Sequence, residues 1–305
     1  MKLLSWNCRG LGNPRTVREL HQLVKEKSPQ VVFLSETKCN RERVEMVRNR
    51  LGFVNSFVVN SLGRSGGLAM IWNENLNASL FSYSRHHISL MIKSEEEGRE
   101  WHLTGFYGDP ALERRKNCWD ILCLLRPDRT CPWLCMGDFN ELVSNEEKMG
   151  GAERPFFQME SFREALDECE LGDLGYVGSS FTWCNKREWR DFIKERLDRV
   201  LGNSAWQSLF DSTIVNVLPV ENLDHTPLLV SCFNQQDELY AHKRLFRYEA
   251  FWSKKQESKD IIQRAWAVVS GGQNRLQNVQ KALKNCMQQL QAWAKSSRGN
   301  HQHLV

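Results

Sequence analysis

The sequence contains no long apolar run and no recognisable leader segment. No stretch approaches the roughly 18 consecutive apolar residues that a membrane-spanning helix needs. Residues 1–7 lack the basic segment and apolar run of a secretory signal peptide. We therefore expect a protein that neither crosses a membrane nor is secreted, and that works in the nucleus or the cytoplasm.

Paired cysteines and a strong excess of one charge are also missing. The ten cysteines are scattered singly, without the short paired arrays that hold zinc. We expect reduced, structural cysteines, as is usual inside the cell. The net charge is only +4, far from the strongly basic footprint of a dedicated nucleic-acid binder. Any affinity for a polyanion must therefore come from local patches.

The apolar content is sufficient for a large core. Hydrophobic residues make up 41% and charged residues 26% of the 305 residues, which is typical of globular proteins. This length predicts one large domain with an appendage. We place the domain at residues 1–233 and a helical extension at residues 234–305, because the chain becomes polar and then basic and aromatic after residue 233.

The extension carries the apolar seam of an amphipathic helix. Its members are spaced by three and four residues: Leu276, Val279, Leu283, Cys286, Leu290 and Trp293. Two interpretations stay open. The helix packs on the domain or on a helix near residues 260–269, or it associates with a second copy or a partner.

Strands and helices alternate along the rest of the chain. Strand patterns fall at residues 3–7, 31–36, 68–72, 89–92, 102–107, 133–137, 181–184, 195–200, 213–218 and 227–232. Helical patterns fall at residues 16–27, 41–50, 112–125, 156–169 and 205–210. This alternation predicts an α/β fold with two stacked sheets flanked by helices.

Several predicted strands end on a polar side chain that can bind a metal or move a proton. These residues are Asn7, Glu36, Tyr107, Asp138, Asn140, Asp198, Asp224 and His225. Each of them taken alone is explained as well by an exposed strand end, a turn or a structural salt bridge. Active sites of layered α/β folds nevertheless gather where strands finish and loops begin.

In chain order, six short motifs resemble those of the endonuclease/exonuclease/phosphatase superfamily. They are Ser-Trp-Asn-Cys-Arg-Gly, Leu-Ser-Glu-Thr, Gly-Phe-Tyr-Gly, Gly-Asp-Phe-Asn, Arg-Leu-Asp-Arg and Asp-His-Thr-Pro-Leu, all within residues 1–232. The amino-acid sequences of these motifs look closest to those in the endonuclease domain of plant LINE-type (non-LTR) retrotransposons. There a linker similar to residues 246–252 leads to a reverse transcriptase, which we do not find in this sequence.

The resemblance implies a four-layer α/β/β/α sandwich, similar to deoxyribonuclease, with a C-terminal helical extension. It implies a Mg²⁺ site, with Mn²⁺ as a substitute, held by Glu36 with Asn7 beside it. Tyr107 and Asn140 would contact the scissile phosphate, and Asp138 would position the attacking water. The residue assigned to stabilise the developing charge is His225.

Two further acids complete the set that the resemblance implies. Asp224 would orient the ring of His225, and Asp198 matches a site aspartate of the apurinic endonucleases. Arg9 departs from those enzymes, which carry an acid at this position. The implied reaction is the nicking of DNA to leave 3′-hydroxyl and 5′-phosphate ends.

Contacts with DNA are expected from basic and aromatic loops. The candidates are Arg9, Arg187 and Arg190, with residues 85–87 and 243–248. Two other functions remain open. One is a phosphatase acting on inositol phosphates or small phosphate esters, and the other is an inactive or domesticated remnant that binds nucleic acid or a partner without hydrolysis.

Overall fold

The computed structural model describes residues 1–63, 65–93, 98–187, 191–210, 212–220, 223–233 and 255–267, and residues 279, 282, 283, 285–287, 289, 290 and 293. The chain divides into two compact units, Met1–Tyr240 and Ala241–Val305. The predicted boundary after residue 233 stays a prediction, because residues 234–254 lie outside the described part.

Two six-stranded mixed sheets form the centre of the first unit. The strands of sheet 1, in spatial order, are β14 (Ser212–Val217), β15 (Leu228–Phe233), β1 (Lys2–Asn7), β2 (Val31–Ser35), β4 (Leu68–Trp72) and β3 (Asn55–Val59). The strands of sheet 2 are β10 (Gly172–Asp173), β13 (Asp198–Gly202), β8 (Trp133–Asp138), β7 (Glu100–Tyr107), β6 (His87–Lys93) and β5 (Ala78–Tyr83). A third small sheet joins β11 (Trp183–Cys184), β12 (Lys194–Glu195) and β9 (Lys148–Met149).

Three helices of the first unit begin at a capping asparagine. The helices that the structure describes in this unit are α1 (Pro14–Lys27), α2 (Arg41–Leu51), α3 (Leu112–Leu124), α4 (Phe156–Glu168) and α5 (Ser204–Leu209). The side chain of Asn13 accepts a hydrogen bond from the first turn of α1, and Asn40 caps α2 in the same way. Gly52 ends α2 in the left-handed region, with φ of 80°.

Three large clusters of buried apolar side chains define four layers in the first unit. The first cluster lies between the two sheets, where Phe33 and Met70 of sheet 1 share a core with Leu103 and Met136 of sheet 2. The second joins α1 and α2 to the other face of sheet 1. In the third, α3 and α4 pack on the other face of sheet 2. The predicted α/β/β/α sandwich is therefore confirmed.

The two sheets approach each other closely at Gly105 of β7. A Cβ atom on Gly105 would lie 2.2 Å from Cδ2 of the buried Phe33 ring in β2. We expect Gly105→Ala to lower the free energy of unfolding by roughly 1–3 kcal/mol, since a packed core yields little to an added methyl group. Urea unfolding measures this change. Gly12→Ala is the control, because no atom lies within 4 Å of a Cβ there, and equal midpoints for the two variants would contradict the close approach.

The second unit contains helix α6 (Gln256–Ala267), and the described residues from 279 to 293 are also helical. Ile261 and Leu290 are buried together, with Trp293 packed against them. Nε1 of Trp293 donates a hydrogen bond to Glu257, 3.1 Å away. In the amphipathic seam, Cys286 and Leu290 are buried beside the helix near residues 260–269, as one interpretation predicted, whereas Val279 and Leu283 are exposed and Leu276 lies outside the described residues. None of the helices that the structure describes has both the length and the apolar character of a membrane span.

Candidate active site

Strand directions bring the predicted polar residues to one edge of the two sheets. In sheet 1, β1 and β2 are parallel, so Asn7 at the end of β1 lies near Glu36, which directly follows β2. In sheet 2, β7 and β8 are parallel and end together at Tyr107 and Asp138. An antiparallel neighbour starts where its partner ends. Asp198 opens β13 opposite Asp138, and His225 lies just before β15, which is antiparallel to β1.

Glu36 lies in a strained turn directly after β2. Its φ is 50°, in the left-handed region that non-glycine residues rarely adopt. The turn is held from the side by the backbone of two glycines: Thr37 N donates to Gly67 O at 3.0 Å, and Lys38 N donates to Gly66 O at 2.9 Å. A Cβ on Gly67 would lie 2.4 Å from Oγ1 of Thr37. Glycine at 67 therefore permits the turn that presents the Glu36 carboxylate.

The carboxylate of Glu36 accepts hydrogen bonds from four side chains. Oε1 accepts from Asn7 Nδ2 at 3.0 Å and from Tyr107 Oη at 3.1 Å. Arg9 Nη1 lies 3.1 Å from Oε1 and 3.0 Å from Oε2, and Lys38 Nζ lies 3.1 Å from Oε2. Burial alone would raise the pKa of Glu36, but the Asn7 hydrogen bond and the two cations lower this pKa to about 2. Glu36 is therefore fully ionised at neutral pH.

Asp138 is the central carboxylate of the site and is completely buried. Asn7 Nδ2 donates to its Oδ2 at 2.8 Å, and the amide N of Asn140 donates to its Oδ1 at 2.9 Å. Nδ2 of Asn7 thus bridges Glu36 and Asp138, whereas the expected metal-ligand role of Asn7 would use its carbonyl oxygen. Phe139 points away into the core, as the alternation along the chain predicted.

His225 pairs with Asp198 and not with the acid beside it in sequence. Its Nδ1 lies 2.9 Å from Oδ2 of Asp198, and its Nε2 lies 3.9 Å from Oδ2 of Asp138. Asp224 instead accepts a hydrogen bond from Nε of Arg9 at 2.6 Å. The expectation that Asp224 orients the ring is therefore wrong. The carboxylate of Asp198 holds the ring instead, and the backbone N of Asp198 is itself fixed by Oγ1 of Thr182, 2.9 Å away.

Burial and neighbouring charges shift the pKa values of both central groups. Burial and the charge of Asp198 raise the pKa of Asp138 to about 7. Burial would lower the pKa of His225, but the charges of Asp198 and Asp138 outweigh it and raise this pKa to about 9. The imidazole is therefore cationic at neutral pH, and Asp138 can exchange a proton there. These are properties of a site that neutralises an anion and activates water.

The raised pKa of His225 predicts that stability depends on pH. The group contributes stability in full below its unfolded pKa of 6.5 and loses it as pH rises through about 9. Between pH 7 and pH 9, in EDTA, the wild type is expected to lose about 2 kcal/mol of unfolding free energy through this group. Urea unfolding of the wild type and of His225→Gln measures it. Parallel pH profiles for the two proteins would contradict the assigned pair.

The donor set fits a divalent metal ion. Asp138, Asp198 and His225 offer ligand atoms that all lie within 4.8 Å of one another. Nδ1 of His225 is already bound to Asp198, however, and magnesium prefers oxygen ligands. Glu36 is ionised and offers two carboxylate oxygens, so it suits such an oxygen-preferring ion, and Asn7 links it to Asp138.

The predicted DNA-contacting residues differ in where the structure places them. Arg187 is exposed and lines an open cleft of about 620 Å³ together with Arg9, Lys186 and Trp183. Arg9 also contacts the acids of the site. Within residues 85–87, His87 is buried, so this candidate contact is wrong for that residue. Its ring lies between Ser82 of β5 and Ser84 of the following turn. Arg190 and residues 243–248 lie outside the described residues.

Two residues of the site were missed by the sequence reasoning. Lys38 contacts Glu36, although it lies only two positions away along the chain. Thr182 fixes the backbone of Leu197 and Asp198 through its hydroxyl oxygen. Lys38 could have been found beside the Leu-Ser-Glu-Thr motif. Thr182 gives no signal of its own, because its contacts span 15 or more residues.

Solved structures of nucleases share this fold. An AP endonuclease from Archaeoglobus fulgidus has a TM-score of 0.59 at 15% identity, covering 76% of this chain and 99% of that chain. A 3′-5′ exonuclease (NExo) from Neisseria meningitidis has a TM-score of 0.57 at 17% identity, covering 76% and 99%. The endonuclease domain of TRAS1, a telomere-specific non-LTR retrotransposon, has a TM-score of 0.55 at 16% identity, covering 77% and 99%.

The sequence itself also matches a family model. No curated protein matches it significantly. The model, however, aligns with residues 4–220, well over half of the 305 residues. This span includes Asn7, Glu36, Tyr107, Asp138 and Asp198, and ends a few residues before His225. The chain therefore belongs to the endonuclease/exonuclease/phosphatase family.

Proposed function

We propose that the protein is a magnesium-dependent endonuclease that nicks DNA and leaves 3′-hydroxyl and 5′-phosphate ends. The observation that carries the proposal is the convergence of acids, amides and one imidazole from both sheets at a single edge. Asn7 connects Glu36 to Asp138, and Asp198 connects to His225. A phosphodiester requires charge neutralisation and an activated water, and these groups supply both.

Each side chain has a defined part in the hydrolysis. Asp138, whose pKa near 7 suits proton exchange at neutral pH, positions the attacking water and accepts its proton. The imidazolium of His225 donates from Nε2 to the phosphate and stabilises the charge that develops there. Tyr107 and Asn140 contact the phosphate oxygens. Asp198 keeps the imidazole oriented and charged through its bond to Nδ1.

A divalent ion at Glu36 would neutralise the phosphate and the departing oxygen. Glu36 is ionised at neutral pH, as a ligand must be. Asn7 keeps its carboxylate next to Asp138, and the hydroxyl of Tyr107 fixes Oε1. Mn²⁺ has similar ligand preferences and is expected to replace Mg²⁺.

DNA is the proposed substrate because exposed cations line the neighbouring cleft. Arg187 and Lys186 lie there beside Trp183. The two cations can contact phosphates, and the indole ring can stack on a base. An AP endonuclease and a retrotransposon endonuclease domain have the same fold. We propose a retrotransposon-type endonuclease, because the six sequence motifs resemble those of retrotransposon endonuclease domains.

Parallel assays of two substrates test this proposal. Purified protein is incubated with Mg²⁺ and either supercoiled plasmid or inositol phosphates, and nicked circles and free phosphate are measured. We expect nicked circles whose ends are sealed by DNA ligase, because ligation requires 3′-hydroxyl and 5′-phosphate groups. Phosphate release without nicking would make the protein a phosphatase. DNA binding without either reaction would support an inactive remnant.

A further inference from the structure

The carboxylate of Glu36 is saturated with hydrogen-bond donors. Asn7, Tyr107, Arg9 and Lys38 together make five contacts of 3.0–3.1 Å with its two oxygens. A carboxylate offers about four acceptor positions. A metal ion can therefore bind Glu36 only when at least one of these donors leaves.

Exposure separates the fixed donors from the exchangeable ones. Asn7 and Tyr107 are only 2% and 6% exposed. The side chains of Arg9 and Lys38 are 40% and 32% exposed. Of these two, only Arg9 contacts both oxygens of Glu36, through Nη1. Its guanidinium thus lies across the open side of the carboxylate, where a cation would bind both oxygens.

The backbone of Arg9 is fixed, and its guanidinium is shared between Glu36 and a second acid, Asp224. The backbone has φ of 51°, and its N donates to Oδ1 of Asn7 at 3.2 Å. Nε is held by Asp224, at 2.6 Å. Arg9 and Asp224 both line the open cleft of about 620 Å³ that contains Lys186 and Arg187. A guanidinium that leaves Glu36 therefore enters a cationic cleft suited to phosphate.

We propose that the Arg9 guanidinium occupies the cation position on Glu36 and is displaced into the cleft when a divalent metal binds, where it becomes a ligand for a substrate phosphate. This inference rests on the proposed function, because it assumes that Glu36 is a metal ligand. The need to displace the Arg9 guanidinium weakens metal binding, and the displaced guanidinium gains a contact with phosphate. Metal binding and polyanion binding are consequently coupled, and each strengthens the other.

The test measures metal affinity without DNA, so no turnover is needed. Free Mn²⁺ is followed by its EPR signal during titration of the wild type and of Arg9→Gln. We expect Arg9→Gln to bind Mn²⁺ at least about tenfold more tightly, because a cation in direct contact with the ligand is lost. Arg41→Gln is the matched control. Arg41 also pairs with a glutamate, Glu45 at 3.8 Å, and its loss is expected to leave the affinity unchanged.

A double-mutant cycle separates competition at Glu36 from a general change of charge. In the Glu36→Gln background, Arg9→Gln is expected to change Mn²⁺ affinity less than twofold. Unchanged or weaker affinity of the single variant, or the same tightening in both backgrounds, overturns the inference. Circular dichroism checks that all variants are folded. If the affinities shift as expected but plasmid is not nicked, the proposed function fails and the inference stands.

Discussion

Asp138→Asn is expected to lower the rate of plasmid nicking by about a thousandfold or more. The change keeps the shape of the side chain but removes the base that positions water, and such groups contribute roughly 10²–10⁴ in rate. It also places an NH₂ group where only acceptors fit. Oδ1 accepts from the Asn140 amide and Oδ2 from Asn7, so one of these donors must face another donor.

The control for this variant is Asp173→Asn. Asp173 pairs with Arg196 and Arg199, outside the candidate site. It is expected to retain nicking activity within severalfold of the wild type. Thermal unfolding of both variants shows whether the lost activity of Asp138→Asn comes from unfolding. Wild-type activity in a folded Asp138→Asn protein would exclude Asp138 as the base.

His225→Ala is expected to slow nicking by about 10²–10³-fold, as the removal of one charge-stabilising donor does in other hydrolases. It also leaves the buried Asp198 without its partner. Added imidazole is expected to restore part of the activity, since the cavity keeps the acid that orients the ring. His102→Ala is the control, because His102 is a buried histidine in the middle of β7. Equal losses in the two variants, without rescue, would indicate a structural role for His225.

Most strands and helices were predictable because their apolar periodicity is strong. The buried strands β2, β4 and β8 read as uninterrupted apolar runs. The edge strands β3 and β5 were missed. They have partly or fully exposed side chains along their whole length, so burial leaves little pattern in their sequence. The predicted strand at residues 195–200 is two strands, β12 and β13.

The location of the site was predictable, but its internal pairing was not. Strand ends and motif order grouped Glu36, Asp138 and His225 at one edge, and the structure brings these three residues together there. The partner of His225 depends on the register of β13 against β8, which sets Asp198 opposite Asp138. No local pattern reports that register. The same holds for Arg9, whose left-handed backbone turns its side chain towards Glu36.

The dependence of plasmid nicking on Mg²⁺ tests the central claim most directly, when it is measured for the wild type and for Glu36→Ala. We predict that the wild-type rate rises to saturation with Mg²⁺ and vanishes in EDTA. A folded Glu36→Ala protein is predicted to nick at least about a hundredfold more slowly at every Mg²⁺ concentration. Nicking by the wild type in EDTA, or equal metal dependence in the two proteins, would contradict a single metal-dependent site at this edge of the sheets.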